Sequence, residues 1–178
     1  MDKDIEYVLY TEEQIKERVD TLARQIASRY EDKNPVFVGI LKGSFIFMAD
    51  LMRAMNIYCE MDFMAVSSYG AGSESSGDVR ISKDLNIDIA GRHVVIIEDI
   101  LDSGLTLERL KDHLKSRKAA SLAVAVLLDK EGRRRVSMDA DFVGFTIPDA
   151  YVVGYGLDFN QKYRNLPYIG VLKPEIYS

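Results

Sequence analysis

Apolar positions follow two different periods along the chain, and each period predicts a different kind of element. In the first part of the chain they recur every three or four residues, as on one face of a helix. Thr11 and Gln14 have the spacing of a capping box at the start of this stripe. The sequence therefore predicts a helix to about Tyr30, whose apolar face consists of Ile15, Val19, Leu22 and Ile26.

Further along, apolar residues form short, nearly continuous runs, which are typical of strands buried on both faces. Such runs occupy residues 36–41, 94–97 and 122–128, and a partly alternating run predicts another strand at 59–66. The remaining predicted elements are helices at 45–55 and 107–114 and short β segments at 142–145, 151–156 and 168–172.

The recurring order of strand, turn, helix and strand predicts the α/β class, with a parallel sheet covered by helices on both faces. Ligands of such sheets bind beyond the carboxyl ends of the strands. Lys42, Glu98 and Lys130 all fall at predicted strand ends. We therefore expect these three residues to mark one site.

The chain has 178 residues, which fits one domain, and a formal net charge of −5. This charge argues against a nucleic acid or an anionic membrane as partner, so any phosphate binding must be local. The N-terminal segment MDKDIEYVLY lacks the pattern of a secretion signal, and the apolar run at 122–128 is too short to cross a bilayer. The predicted location is the cytoplasm.

The segment VVIIEDILDSGLTL at 94–107 places three carboxylates directly after an apolar run. One interpretation is a solvated turn in which Asp102 or Ser103 caps the next helix. Another is a magnesium-binding strand end, as in nucleotide hydrolases. That interpretation requires a phosphate loop of the form GxxxxGKS or GxxxxGKT, and the sequence contains neither.

A third interpretation uses the whole segment. Glu98 and Asp99 could bind vicinal ribose hydroxyls and a magnesium ion, while backbone N–H groups at the start of the next helix bind a monophosphate. Gly104 allows a close approach of the backbone, and Ser103 and Thr106 add hydroxyl donors. The segment thus predicts a site that binds ribose and phosphate side by side.

This segment resembles the phosphoribosyl-diphosphate signature of the type I phosphoribosyltransferases. Four further segments resemble the hypoxanthine-guanine branch of that family in its bacterial form: LKGS at 41–44, SSYG at 67–70, LLDK at 127–130 and the stretch at 141–172. The resemblance covers almost the entire chain. It implies a central, mostly parallel sheet flanked by helices, with a core at about 11–145, a small hood from 1–10 and 146–178, and a lid at about 67–80.

The resemblance also implies a reaction of purine salvage. The 5-phosphoribosyl group of 5-phosphoribosyl 1-diphosphate passes to hypoxanthine or guanine, which gives IMP or GMP and pyrophosphate. The implied cofactor is Mg2+, and the implied assembly is a homodimer or homotetramer.

In this resemblance, Asp102 lies near N7 of the purine and accepts a proton. The segment from Ser103 through Gly104 and Leu105 to Thr106 binds the 5′-phosphate. Some relatives have Lys at the position of Leu105, so phosphate binding here should depend more on backbone donors. Glu98 and Asp99 bind the ribose and the metal.

The family pattern assigns the remaining site residues as follows. Lys42 and Gly43 form the diphosphate-binding turn, which often includes a cis peptide bond at Lys42–Gly43, and Arg164 contacts the same group. Lys130 donates to the purine O6, which favours 6-oxopurines over adenine. Tyr151 stacks on the base, and the Val152 backbone and Asp158 contact its other edge. Asp158 also lies near a second metal ion. Ser68 and Tyr69 begin the lid.

Two alternatives stay open. A regulatory protein with the same fold could bind nucleic acid, but the only Arg-rich segment is Arg133–Arg135 and the overall charge is acidic. A transferase for another base is the second alternative. Lys130 disfavours adenine and pyrimidines, whereas xanthine remains compatible with the sequence.

Overall fold

The computed structural model describes residues 1–68 and 79–177. Its helices are α1 (Glu12–Tyr30), α2 (Phe45–Ala54), α3 (Leu105–Ser116) and α4 (Pro174–Tyr177), with short 3-10 turns at Asp2–Asp4 and Glu131–Arg133. Its strands are β1 (Ile5–Tyr10), β2 (Val36–Leu41), β3 (Glu60–Ser68), β4 (Val79–Lys83), β5 (His93–Leu101), β6 (Ser121–Asp129), β7 (Phe142–Thr146), β8 (Val152–Val153) and β9 (Ile169–Leu172).

The central sheet has six strands in the order β4-β3-β2-β5-β6-β7. All neighbours pair in parallel except β3 and β4, which are antiparallel. This confirms the predicted α/β class with a mostly parallel sheet flanked by helices. Because β2, β5 and β6 are adjacent and parallel, their carboxyl ends meet at one edge of the sheet.

Helices cover both faces of this sheet. The apolar stripe of α1 packs with α2 on one face, and α3 packs on the other. The capping box predicted at the start of α1 is present: the backbone N–H of Gln14 donates to Thr11 Oγ1, and Thr11 N–H donates to Gln14 Oε1. Arg18 then fixes α1 to the sheet by donating to the carbonyls of Val143 and Gly144 at 2.6 Å each.

A second, smaller sheet joins the two ends of the chain, and its strands lie in the order β1-β9-β8. Both pairs are antiparallel, with Ile5 opposite Leu172. Tyr155, which follows β8, donates its hydroxyl to Asp50 Oδ2 on α2 at 2.7 Å. This bond ties the segment after β8 to the helix that follows β2.

Several boundaries differ from the sequence prediction. β5 continues past Ile97 to Leu101, so Glu98 and Asp99 lie within a strand. The N-cap of α3 is Gly104, with φ +83°, so the alternative interpretation in which Asp102 or Ser103 caps this helix is wrong. The β segment predicted at 151–156 is a strand only at Val152–Val153, and β1 and β4 were not predicted.

Residues 69–78, most of the predicted lid at 67–80, lie outside the described part of the chain. Within the described ranges 1–68 and 79–177, the structure contains no helix with both the length and the hydropathy needed to cross a membrane.

Candidate active site

The ends of β5 and β6 stay in register up to the site. Leu101 pairs with Asp129, and the next backbone N–H, that of Lys130, donates to Leu101 O at 3.0 Å. On the other side, β2 pairs with β5 as far as Gly39 and Ile97. The chain segments that follow these three strands therefore converge, as the sequence predicts.

Gly43 is in contact with two other parts of the site. A Cβ built at Gly43 would overlap the Oδ2 of Asp99, and a Cβ built at Gly156 would overlap the carbonyl oxygen of Gly43. Gly156 also has φ +103°, which favours glycine. The peptide bond before this turn, Leu41–Lys42, is cis, one bond earlier than the Lys42–Gly43 bond that the family pattern suggests.

Glu98 and Asp99 form a close pair of carboxyl groups. Burial, followed by the charge of Asp99, raises the pKa of Glu98 well above its ordinary value. Burial also raises the pKa of Asp99, although the hydrogen bond from Glu98 lowers it in part. Glu98 Oε2 is buried without a hydrogen-bond partner, whereas Asp99 Oδ1 accepts from the backbone N–H of Ile100 at 2.8 Å.

An unpaired buried carboxylate oxygen beside a second carboxylate fits a hard cation. Mg²⁺ is typically bound by one or two carboxylates together with phosphate oxygens of a substrate and water. Among residues 1–68 and 79–177, the structure contains no group of three or more His, Cys, Asp or Glu side chains that could hold a metal ion. The pair therefore fits a metal that arrives with a phosphorylated ligand.

A cavity of about 240 Å³ begins at this pair and ends at the start of α3. The backbone N–H of Leu105 donates weakly to Ser103 Oγ at 3.4 Å. For Gly104 and Thr106, no acceptor for the backbone N–H lies in the described part of the chain. Free N–H groups at the N-terminus of a twelve-residue helix can bind an anion. The cavity is lined by Glu98, Asp99, Ile100, Leu101, Asp102, Ser103, Gly104, Thr106 and Leu107.

Two cations meet close to the contact between Gly43 and Gly156. Lys42 Nζ donates to Gln161 Oε1 at 3.1 Å, and Arg164 Nη2 lies 3.4 Å from the same oxygen. Arg164 also donates to Gly156 O at 2.7 Å and forms an ion pair with Asp158 at 2.8 Å. Its charge lowers the pKa of Asp99, but less than burial raises it. This group can bind a second anion close to the first.

Lys130 lies at the other end of the site with its side chain only 8% exposed. Its Nζ is 3.7 Å from Asp149 Oδ1, and Arg133 lies 3.4 Å from the same carboxylate. Arg133 Nε is also 3.7 Å from Asp102 Oδ1, an oxygen that is buried without a hydrogen bond. A buried ammonium and a carboxylate oxygen thus both lie beside the β5–β6 end.

Tyr151 and Val152 lie where the chain enters the small sheet. The Tyr151 ring is 39% exposed, stacks on Tyr177 with centroids 4.9 Å apart, and meets the edge of Phe159 at 5.4 Å. Val152 is buried. The structure thus supplies a partly exposed aromatic face next to a strand, although both ring contacts are internal to the chain.

Of the predicted residues, Ser68 ends β3 but its side chain, like all of Tyr69, lies outside what the structure describes. Gln161 and Asp149 also belong to the site, although the sequence did not predict them. Gln161 links the two cations, and Asp149 links Lys130 to Arg133. Their only sequence signal is proximity to Asp158 and Tyr151, because the contacts join segments that are far apart in the chain.

Known proteins resemble this chain over its whole length. A family described as the phosphoribosyl transferase domain matches residues 9–160. The hypoxanthine-guanine phosphoribosyltransferase of Bacillus subtilis is 54% identical over 178 residues, which are 100% of this chain and 99% of that protein. The bifunctional protein TilS/HprT of Listeria innocua is also 54% identical over 178 residues. These residues are 100% of this chain but only 28% of that longer protein.

A solved structure shows the same likeness. A hypoxanthine phosphoribosyltransferase from Staphylococcus aureus superposes with a TM-score of 0.97 at 50% sequence identity, and the match covers 100% of this chain and 97% of that one. At this identity the likeness extends beyond the fold.

Proposed function

The chain belongs to the phosphoribosyl transferase domain family, and on that premise we propose that it transfers the 5-phosphoribosyl group from 5-phosphoribosyl 1-diphosphate to hypoxanthine or guanine. Its fold is that of a type I phosphoribosyltransferase, as the sequence predicts. One observation carries the proposal: at the β5–β6 end, a cavity lined by carboxylates and free N–H groups reaches Asp102, which Arg133 and Asp149 link to the buried ammonium of Lys130.

The cavity fits the ribose 5-phosphate part of the sugar diphosphate. Free backbone N–H groups of Gly104 and Thr106, together with the hydroxyls of Ser103 and Thr106, are suited to the 5′-phosphate. Leu105 contributes its backbone only, in keeping with a site without a cationic side chain. The carboxyl groups of Glu98 and Asp99 at the other end suit the ribose hydroxyls.

The diphosphate suits the cation group that Lys42 and Arg164 form at Gln161. Lys42 and Arg164 both reach Gln161 Oε1, so an anion of several oxygens could contact both cations at once. The guanidinium of Arg164 also offers Nε, which is buried and has no hydrogen-bond partner. A planar donor with a free N–H is well suited to a diphosphate.

Glu98 and Asp99 would hold Mg²⁺, and Asp158 is the proposed second position. When bound, the metal supplies positive charge that stabilises the departing diphosphate. Both oxygens of Asp158 have internal partners: Oδ1 pairs with Arg164, and Oδ2 accepts from the Gln161 N–H at 2.8 Å. The Glu98 and Asp99 pair is therefore the better supported of the two metal positions.

The purine would lie between Asp102 and Lys130. Asp102, whose side chain lines the cavity and is 42% exposed, would accept a proton from N7 as the base attacks the anomeric carbon. Lys130 can only donate, which suits the O6 of hypoxanthine or guanine and disfavours the amino group of adenine. Tyr151 would stack on the base, with the Val152 backbone at its edge.

Charge in the site suits the transition state. Displacement at the anomeric carbon places positive charge on the ribose and negative charge on the departing diphosphate. Glu98 and Asp99 line the cavity proposed for the ribose, and Lys42 and Arg164 meet at Gln161, where the diphosphate is proposed to bind. Fixed groups of the right sign on each side lower the barrier without having to reorganise.

Three expectations from the sequence stay predictions: that the chain works in the cytoplasm, that it forms a dimer or tetramer, and that the segment from Ser68 and Tyr69 onward closes over the site.

A turnover assay tests the proposal. Purified protein, 5-phosphoribosyl 1-diphosphate and Mg²⁺ are mixed with hypoxanthine or guanine, and nucleotide formation is followed by absorbance. We expect IMP or GMP and one pyrophosphate for each nucleotide, with no product when the sugar diphosphate or the metal is omitted. Absence of turnover with both bases would refute the proposal.

A further inference from the structure

Arg134 contacts both strand ends near the proposed base site, although neither the sequence pattern nor the similarity to known proteins assigns it a role. Its side chain is 18% exposed. Its Nε donates to the carbonyl of Met138 at 2.9 Å, and its Nη2 pairs with the carboxylate of Asp129. Its Nη1 lies near three further carbonyls, those of Leu101 at 3.0 Å, Asp102 at 2.8 Å and Lys130 at 3.3 Å.

These acceptors belong to both strand ends that the proposed reaction uses. The regular β5–β6 pairing stops at Leu101 and Asp129, and only the bond from Lys130 N–H to Leu101 O continues it. Beyond that point, the guanidinium of Arg134 bonds to both chains. It therefore replaces the missing ladder contacts where Asp102 leaves one strand and Lys130 leaves the other.

The geometry requires an arginine. Five donors in a fixed plane can reach a carboxylate and several carbonyls at the same time, whereas a lysine has three donors at one point. Asp129 is 6% exposed, so its charge needs a partner that also stays buried. A lysine could pair with Asp129 but could not also span the carbonyls of Asp102 and Lys130.

We propose that Arg134 is a positioning residue that sets the spacing between the proton acceptor Asp102 and the base-recognising Lys130. This role rests on the proposed function. It acts through the main chain of the two residues rather than through contact with the substrate. The phosphate-binding segment has its own link to the same loop, from Arg135 N–H to Ser103 O at 2.9 Å, which a change of the Arg134 side chain leaves in place.

The test compares Arg134→Lys and Arg134→Ala with the matched control Arg109→Lys, because the side chain of Arg109 is exposed on α3. Steady-state kinetics give kcat and KM for each substrate, and a thermal melt gives the folded fraction. Misplacement by about 1 Å can cost on the order of 10²-fold in rate. We expect Arg134→Lys to lose about 10- to 100-fold in kcat/KM for the base, with KM for the sugar diphosphate changed by less than about threefold.

Chemical rescue separates positioning from folding. Guanidinium at millimolar concentration should restore part of the kcat of Arg134→Ala, and methylammonium, which lacks the planar fork, should not. The control should behave like the wild type. If Arg134→Ala does not fold, the kinetics of Arg134→Lys decide the outcome, because this variant retains a positive charge opposite Asp129.

The outcomes distinguish this role from the proposed function. Wild-type protein that uses neither base would refute the function itself. An active wild type with an equally active Arg134→Lys variant would refute the positioning role alone. Activity that falls only in proportion to the folded fraction, with both KM values unchanged, would also refute it and make Arg134 a folding residue.

Discussion

The carboxylate of Asp99 fills the space that a side chain at Gly43 would need. This contact joins the segment after β2 to the acidic pair of β5. The carbonyl of Gly43 in turn packs against Gly156, so three segments meet at one residue without a side chain. In the proposed reaction, the ribose contacts Asp99 and the diphosphate contacts Lys42, the chain neighbour of Gly43, so small shifts here should affect both.

Substitution Gly43→Ala should therefore displace Asp99 and weaken sugar diphosphate binding. We expect KM for 5-phosphoribosyl 1-diphosphate to rise at least tenfold and stability to fall by about 1–3 kcal/mol, because the added methyl group overpacks the contact. The matched control is Gly132→Ala, where a Cβ would meet nothing within 4 Å. Equal effects of the two variants, measured by kinetics and thermal melts, would contradict this account of Gly43.

Glu98→Gln should stabilise the metal-free protein increasingly as pH rises. The folded-state pKa of Glu98 is raised, so the folded protein keeps a proton that the unfolded chain releases above its ordinary pKa of about 4.5. The free energy of unfolding of the wild type therefore falls as pH rises from about 4.5 towards the raised pKa. Gln mimics the protonated acid and does not show this loss.

The measurement is the melting temperature of both proteins in chelator from about pH 4.5 to pH 8. The variant should match the wild type at the acidic end and exceed it at the alkaline end. Glu6→Gln, at an exposed position of β1, is the control. A difference that stays constant across this range would show that Glu98 does not carry a raised pKa.

Asp102→Asn should slow the chemical step much more than it weakens sugar diphosphate binding. The change preserves shape but removes the proton acceptor, which is typically worth 10²- to 10⁴-fold in rate, so we expect about that loss in kcat. Binding of the sugar diphosphate, measured by calorimetry, should stay within about twofold. Asp112→Asn, whose side chain is 67% exposed on α3, is the control. Equal loss of rate and affinity would make Asp102 a binding or folding residue.

Tyr155→Phe should lower stability by about 1 kcal/mol, the typical value of one hydrogen bond. Tyr155 is buried, and its hydroxyl donates to Asp50. Burial, followed by the contact with Asp50, raises the pKa of Tyr155 far above the ordinary value. Tyr58→Phe, at a side chain that is 93% exposed, should change stability by less than about 0.5 kcal/mol. Urea unfolding gives both values, and equal changes would show that the Tyr155 bond adds nothing.

Local patterns predicted the elements whose causes are local. The helix at Glu12–Tyr30 has its cap and its apolar stripe in consecutive residues, and the strand at Val36–Leu41 is a continuous apolar run. β5 was predicted too short because its apolar run ends at Ile97, whereas backbone pairing with β6 continues through polar residues to Leu101. A ladder depends on main-chain atoms, which the side-chain pattern does not reveal.

The sequence pattern did not predict contacts between segments that are far apart in the chain. β1 was missed because its partner β9 lies at the other end of the chain, where Ile5 pairs with Leu172. Arg134 was noted only as part of a basic segment, because most of its acceptors are carbonyls that any residue would offer. The roles of Lys42, Lys130 and their neighbours came from the family resemblance, which encodes these distant contacts.

Competition between bases shows most clearly whether the β5–β6 end selects a 6-oxopurine. Wild-type protein and Lys130→Met receive equimolar hypoxanthine, guanine, xanthine and adenine with the sugar diphosphate and Mg²⁺, and the nucleotides are separated by chromatography. Lys115→Met, at a side chain that is 64% exposed on α3, is the control.

We expect wild type and control to form IMP and GMP but not AMP. Loss of a charged donor typically costs 1.5–3 kcal/mol, so Lys130→Met should lose about 10- to 100-fold in kcat/KM for hypoxanthine and guanine. Xanthine use would broaden the substrate range without changing the role of Lys130. Formation of AMP by the wild type at a comparable rate, or unchanged selectivity in Lys130→Met, would contradict the claim that this strand end selects a 6-oxopurine.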